Sequence, residues 1–238
     1  MTYLYVGIGI GALAILWFAF VFITALCERQ RLTGDVEPVS EPYPYPKSSY
    51  WVVTGKQAAQ LGLSHAGDYA TKRNTSVVKG LQSLWLSPDC TVIASIVAAS
   101  FASMPLKKTV LRSRLANGTV IESTDNPGSK DLSRVVNTAV LLNAGIQELF
   151  QFHSQRILGS GFAVVPFSHE SVLSSFEQID AERGARLVGM GLARWADPQK
   201  SSIRLTFRGS IAHILRNYFQ EIGALKGQRQ RTGIPRAG

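Results

Sequence analysis

The stretch from Lys107 to Thr124, KKTVLRSRLANGTVIEST, contains the clearest folding signal in this sequence. Two runs rich in valine, leucine, isoleucine and threonine flank the dipeptide Asn117-Gly118. β-Branched residues favour strands, and Asn-Gly between two such runs is typical of a type I′ turn, in which both central residues have a positive φ. The pattern therefore predicts an antiparallel β-hairpin.

The residues before the hairpin extend it into a meander. The runs 81–86 (LQSLWL) and 90–100 (CTVIASIVAAS) flank Ser87-Pro88-Asp89, which has the composition of a turn. The uncharged run 90–106 is too short and, with its Ser and Thr hydroxyls, too polar for a membrane span. We expect it to form a buried strand and a bend, within a meander of about four antiparallel strands.

Helices are predicted on both sides of this meander. Apolar residues between Leu132 and Leu149 recur at intervals of three and four, which predicts an amphipathic helix, or two helices joined near Asn143, and His153 continues the same stripe. Further patterns predict a helix at 55–63, a strand at 162–167, a helix from Ser168 toward Trp195, a strand at 202–209 and a helix at 211–225. The predicted fold class is α+β.

The amino-terminal residues predict a membrane anchor. Tyr3 to Leu26 contains no charged residue, and its 24 positions would form a helix of roughly 36 Å, long enough for a hydrocarbon layer of about 30 Å. Gly7, Gly9 and Ala12 also fit a dinucleotide-binding spacing. That alternative requires an amphipathic helix after the glycines, whereas this helix is apolar on every face.

Two features of the anchor predict its surroundings. Arg29 and Arg31 follow the span, so the positive-inside rule predicts a single-pass protein whose carboxyl-terminal part is cytoplasmic. Gly7 and Gly11 lie one helical turn apart and would let two anchors pack closely, which predicts a homodimer through the bilayer.

Residues 34–47, GDVEPVSEPYPYPK, contain four prolines and three acidic residues. This composition predicts an extended spacer of about 40 Å between the membrane and the domain. The sequence thus divides into a transmembrane anchor at 1–27, a Pro-rich acidic linker at 28–49, an antiparallel sheet with helices at 50–158, a helix-strand-helix segment at 159–225 and a basic disordered tail at 226–238.

The charge of the chain points to an anionic partner. Its 238 residues have a formal net charge of +9, which favours an anionic membrane surface, nucleic acid or an acidic protein. Lys108, Arg112 and Arg114 share one face of their strand and form a cationic stripe, which we expect to contact an anionic ligand or lipid headgroups. Nucleic acid is the less favoured ligand because stacking aromatic residues are missing from this strand.

Catalytic motifs are weak in this sequence. Glu122, Asp125 and Asp131 surround the end of the hairpin and would perform acid–base chemistry only if they met in a cleft. The histidines at positions 65, 153, 169 and 213 and the cysteine at position 90 show no metal-ligand spacing. The sequence predicts neither a metal nor a cofactor.

Three functions are compatible with this layout. The first is a non-enzymatic interaction or scaffold domain that binds a protein partner at the cytoplasmic face of the membrane. The second is a membrane-tethered hydrolase that uses the acidic residues or a histidine, and the third is a domain that binds nucleic acid or anionic lipid. An enzyme should bring at least two of the titratable candidates into one pocket.

Overall fold

The structure is a computed structural model, and it describes residues 29–32, 36–72, 78–101, 104–126 and 131–216. The predicted anchor at 1–27 and the predicted tail at 226–238 lie outside these residues. Within the described ranges, no helix combines the length and the apolar character that crossing a bilayer requires. The described chain is an α+β protein, as the sequence predicts.

The described chain forms eleven strands, three α-helices with defined bounds, a short 3-10 helix at His169–Ser171 and a further α-helix. The strands are β1 Arg29–Arg31, β2 Val36–Pro38, β3 Ser64–Thr71, β4 Val78–Leu86, β5 Ile93–Phe101, β6 Met104–Leu115, β7 Val120–Thr124, β8 Val136–Val140, β9 Val164–Val165, β10 Ala193–Trp195 and β11 Ser202–Leu205. The helices are α1 Ser49–Gln60, α2 Ile146–Ser160, α3 Val172–Gly189 and α4, which is helical over 207–216.

The main sheet has the strand order β2-β3-β4-β5-β6-β7-β8, with β9 pairing on β6. Strands β2 to β7 pair antiparallel, so the predicted meander is present and longer than expected. The last strand, β8, runs parallel to β7 and makes the sheet mixed. A parallel neighbour requires a crossover in the chain, and this connection lies between Thr124 and Val136.

The predicted hairpin is confirmed, but its turn type is not. Gly118 has a φ of 82°, whereas Asn117 is not among the non-glycine residues with a positive φ. The N–H of Gly118 donates to the carbonyl of Leu115 at 2.9 Å, and the N–H of Leu115 donates to Thr119 at 2.8 Å. The loop is therefore a three-residue connection with one left-handed residue, a common alternative to the type I′ turn.

Helices cover both faces of the main sheet. Helices α1 and α2 bury one face around a core that includes Ile96, Leu111 and Leu149, all fully buried. Helix α3 covers the opposite face, where Ile93 and Ile179 are also fully buried. The two-sided cover explains why β5, with the sequence IASIVAASF, carries no charge and is mostly apolar on both faces.

The predicted spacer at 34–47 is corrected by the structure, because its described residues, 36–47, lie on the domain. Strand β2 pairs with β3, and the Tyr43 hydroxyl donates to Asp68 Oδ2 at 2.6 Å. The Tyr45 hydroxyl donates to the Thr71 carbonyl at 3.2 Å. Tyrosine side chains supply apolar area and a polar tip, so they hold a proline-rich segment against the sheet.

A second, smaller sheet has the order β1-β11-β10 and includes the residues that directly follow the predicted anchor. Leu32, the residue after β1, donates its N–H to the carbonyl of Ser201 at 2.9 Å. Its side chain packs in a third apolar cluster with Leu187, Ile203 and Leu205. The predicted linker at 28–49 therefore contains two strands and a core residue.

The predicted helix at 132–149 is wrong for most of its length. Residues Val136–Val140 form β8, and α2 begins only at Ile146. Asn143 interrupts the chain between the two elements with a φ of 56°. The segment is rich in valine and threonine, which favour a strand. Strand β7 supplies the neighbour with which this strand pairs.

Three other predictions need smaller corrections. The expected strand at 162–167 is limited to the two residues of β9, and the expected strand at 202–209 ends at Leu205. Helix α1 begins at Ser49, six residues before the predicted start, where the Ser48 hydroxyl accepts the N–H of Trp51 at 3.2 Å. Such an N-cap satisfies a backbone donor that the helix itself cannot pair.

Candidate functional site

The cationic stripe faces helix α3. Arg112 is only 5% exposed; its Nε lies 2.8 Å from Glu122 Oε2 and its Nη2 lies 3.2 Å from Asp180 Oδ1. Arg114 Nη1 lies 3.0 Å from Glu182 Oε2, and Lys108 is half-buried. These cations share a face, as the strand period predicts, and acidic residues of α3 pair with Arg112 and Arg114 on that face.

The charges beneath α3 stabilise one another. Burial would lower the pKa of Arg112, but the carboxylates of Asp180 and Glu122 outweigh it and raise that pKa. Burial would likewise raise the pKa of Glu122, but Arg112, Lys108 and other cations lower it to about 2. The guanidinium of Arg112 also lies 4.0 Å from the ring centroid of Phe176. These ion pairs connect α3 to the sheet, and removing one partner would leave a buried charge unpaired.

The three candidate acids occupy separate environments. Glu122 pairs with Arg112, as described above. Asp125 accepts the Tyr50 hydroxyl at 2.8 Å and the Thr109 N–H at 2.7 Å, and burial raises its pKa. Asp131 accepts the Val136 N–H at 2.9 Å. Each carboxylate fixes a different part of the described chain.

Asp131 also connects the loop before β8 to helix α3. Its Oδ1 accepts the Ser133 N–H at 3.0 Å and lies 3.2 Å from Arg183 Nε. Arg183 in turn pairs with Asp180 at 3.1 Å. A side chain that holds both a loop and an ion pair has a structural role, and the Asp131 side chain is only 1% exposed.

His153 is a buried structural histidine. Its Nδ1 and Nε2 lie 3.0 Å from the hydroxyls of Ser123 and Ser113, respectively. Ser113 donates to the Thr91 carbonyl at 2.7 Å, so its oxygen accepts the Nε2 proton. Burial and the nearby Arg156 lower the pKa of His153 to about 3. The imidazole is neutral, fully hydrogen bonded and 0% exposed, which excludes contact with a substrate.

Two of the other histidines, His65 and His213, belong to other elements of the fold. His65 is exposed, and its Nε2 lies 2.8 Å from Asp68 Oδ1. His213 is half-buried in α4, and no His, Cys, Asp or Glu group in the described chain could hold a metal ion.

Strand β8 lies at the edge of the main sheet. Among the described strands it has one neighbour, β7, and its five residues VNTAV contain neither a charge nor a proline. The Val135 carbonyl and the Leu141 N–H both bond to β7. Since successive residues of a strand point to opposite sides, the N–H and C=O groups of Thr138 and Val140 point away from the sheet.

A cleft of about 350 Å³ lies along this edge. Its wall includes Val136 and Thr138 of β8, Asp131 and Arg134 of the preceding loop and Arg216 of α4. Both arginines are exposed, and neither pairs with a carboxylate within the described ranges. Arg134 has a φ of 63°, which strains a residue with a side chain. We name the edge of β8 and this cleft the edge site.

Two other clefts lie elsewhere on the described chain. One, of about 630 Å³, lies between α1 and α2 and is lined by glutamines and one acid, Glu148. Another, of about 220 Å³, lies beside Tyr45, Lys79 and Lys107. None of the three clefts brings together two of the candidate acids and histidines.

No protein-family model, curated protein or solved structure matches the chain. Gly7 and Gly11, the predicted contact between two anchors, lie outside the described residues. The anchor, its orientation and its self-association therefore stay predictions.

Sequence reasoning missed the edge site because it assigned residues 132–149 to a helix. The available signal was the uncharged, β-rich run 135–142, VVNTAVLL, which directly follows Arg134. Its status as an edge strand depends on the parallel pairing with β7, which no local pattern indicates.

Proposed function

We propose that the chain is a single-pass membrane protein whose domain acts at the cytoplasmic face as a non-enzymatic interaction module. Its partner binds at the edge site as an added strand. The anchor at 3–26 and the arginines after it supply the membrane attachment and the orientation.

The observation that carries this proposal is the edge position of β8, which pairs only with β7 among the described strands. The backbone groups of Thr138 and Val140 point away from the sheet, and neither charge nor proline protects the strand. Proteins normally block such edges because they invite pairing with another chain. Strand addition uses these groups as the main source of affinity, while side-chain pockets supply specificity.

The cleft indicates the chemistry of the added strand. Arg134 and Arg216 both border it, and a guanidinium group binds a carboxylate through paired hydrogen bonds. Val136 and Thr138 add a partly apolar floor. The partner segment is therefore extended, with acidic side chains that alternate with small or apolar ones.

The internal use of the titratable groups also supports a role without catalysis. Glu122, Asp125 and Asp131 each hold elements of the fold together, and His153 is inaccessible. An acid–base catalyst must reach the proton that it transfers. The hydrolase alternative gains no support from this geometry.

A photo-crosslinking experiment in the native membrane tests the proposal. A photoreactive amino acid replaces Arg216 beside the edge site, and a second version of the protein carries it at the exposed Lys56 of α1. We expect a discrete crosslinked protein from position 216 and none from position 56.

The substitution Thr138→Pro then separates strand addition from general proximity. It removes an N–H that points away from β7, so the ladder with β7 keeps its hydrogen bonds. The control Thr138→Val also loses the hydroxyl bond to Glu122 but keeps the N–H. We expect Thr138→Pro to abolish the crosslink and Thr138→Val to preserve it. A crosslink that survives Thr138→Pro, or a hydrolytic activity that Glu122→Gln eliminates, would refute the proposal.

A further inference from the structure

The small sheet aligns arginines across all three of its strands. Arg204 of β11 lies opposite Arg194 of β10 in the antiparallel register. On its other side, Arg29 of β1 occupies the register position opposite Arg204. Arg194 and Arg204 are exposed, whereas their neighbours Ala193, Ile203 and Leu205 are buried.

This alignment favours an external anion. Residues directly opposite in antiparallel strands have Cβ atoms about 4.5–5.5 Å apart, and like charges there destabilise the pair. Neither Arg194 nor Arg204 pairs with a carboxylate within the part of the chain that the structure describes. By contrast, the arginines beneath α3 each have an acidic partner.

The position of β1 indicates which anion is near. The predicted anchor ends at Leu26, and β1 begins at Arg29. Three residues of extended chain span at most about 11 Å, so the small sheet lies beside the headgroups of the membrane that holds the anchor. The described part of the segment at 34–47 lies on the domain and is not a spacer. This short connection therefore limits the distance between the small sheet and the membrane.

Helix α4 adds apolar side chains to the same region. Phe207, two residues after β11, is 65% exposed, and Leu215 is 51% exposed. These two residues are eight positions apart and lie on one side of the helix. Arg208 next to Phe207 is also exposed. Arginines around exposed apolar residues are typical of a surface that lies in the membrane interface.

We infer that the small sheet and α4 form a contact surface for anionic phospholipids, with Arg194 and Arg204 on the phosphates and Phe207 at the acyl boundary. We name it the lipid face. This inference rests on the proposed anchor. The lipid face would fix the orientation of the domain on the bilayer and thereby the direction in which the edge site is presented.

The test uses the full chain in two kinds of nanodisc. Neutral discs contain phosphatidylcholine alone, and anionic discs contain about 30% phosphatidylglycerol, which gives the surface a negative potential. Cys27 and Cys90 are replaced by serine, and a single cysteine is introduced as Phe207→Cys or, as a control on α2, as the exposed Gln151→Cys. The rate of reaction with a bulky maleimide reports the access of solvent to each position.

We expect Phe207→Cys to react about tenfold or more slowly in the anionic discs, while Gln151→Cys reacts equally in both. Each arginine near an anionic surface contributes about fivefold, so Arg194→Gln with Arg204→Gln should remove most of this protection. The matched change Lys56→Gln with Lys107→Gln, at exposed cations near α1, should preserve it.

Equal rates for Phe207→Cys in both discs would overturn the lipid face but leave the anchor intact. Protection in neutral discs by a short DNA duplex alone would also overturn it and would assign the surface to nucleic acid. A chain that alkaline carbonate extracts from native membranes would overturn the anchor and this inference together.

Discussion

Burial of the neutral His153 side chain should make the stability of this domain depend on pH. The imidazole is 0% exposed and hydrogen bonded to two serines, and its pKa is about 3 in the folded chain. In the unfolded chain a histidine has a pKa of about 6.5. The unfolded state therefore binds more protons below pH 6.5, so the free energy of unfolding falls as the pH decreases toward 3.

The magnitude follows from the two pKa values. Between pH 7.5 and pH 5.5, proton uptake by the unfolded histidine lowers the free energy of unfolding by about 1.4 kcal/mol. Glu122, whose folded pKa is about 2, contributes little in this range because the free carboxyl group titrates near 4.3. The stability that the lowered pKa of Glu122 contributes is lost only at more acidic pH, when its carboxyl group takes up a proton.

Urea unfolding of the purified full-length chain in detergent, followed by tryptophan fluorescence, measures this effect. The variant His153→Gln can donate to one serine and accept from the other, but it carries no titrating group. It should lose about 1.4 kcal/mol less than the natural chain over the same pH change, since the other histidines are common to both. An identical loss in the two proteins would refute the buried, neutral state of His153.

Two further perturbations test the packing. Gly80→Ala should lower the free energy of unfolding by about 1–3 kcal/mol, because an added Cβ would overlap the backbone of Ala99 in the centre of the sheet. Thermal unfolding measures this loss, and an unchanged melting temperature would contradict this packing. Arg112→Ala should lower the free energy of unfolding by about 3–5 kcal/mol, because Glu122 stays buried without its partner. Arg114→Ala should lower it by about 1 kcal/mol or less, because that ion pair is more exposed. Equal losses of the two variants in urea titrations would contradict the buried pair.

Local patterns predicted those parts of the fold that depend on local chemistry. The hairpin around Gly118 and the strands before it follow from strand propensity and turn composition. The role of His153 as a hydrogen-bonded core residue was also predictable, because it continues an apolar stripe. These features need little information about distant residues.

Predictions that depended on distant partners were wrong. The proline-rich segment at 34–47 has the composition of a spacer, but β3 offers it an edge and Asp68 offers it a hydrogen bond. The run 132–149 has a helical period, yet β7 pairs with part of it as a strand. Tertiary pairing outweighs local preference in both segments.

The candidate sites show the same division. The period of two correctly placed the cationic stripe on one face of β6, but it could not show that α3 brings Asp180 and Glu182 onto that face. The edge site and the lipid face depend on strand order and register, so they emerge only once the strands are assembled.

Hydrogen exchange in the membrane-embedded chain tests the central claim most directly. The peptide that contains Thr138 and Val140 should exchange its two outward amides slowly when the crosslinked partner is present and rapidly when it is absent, while the peptide from β2 at the opposite edge should not change. Equal exchange of the β8 peptide with and without the partner would contradict strand addition at this edge.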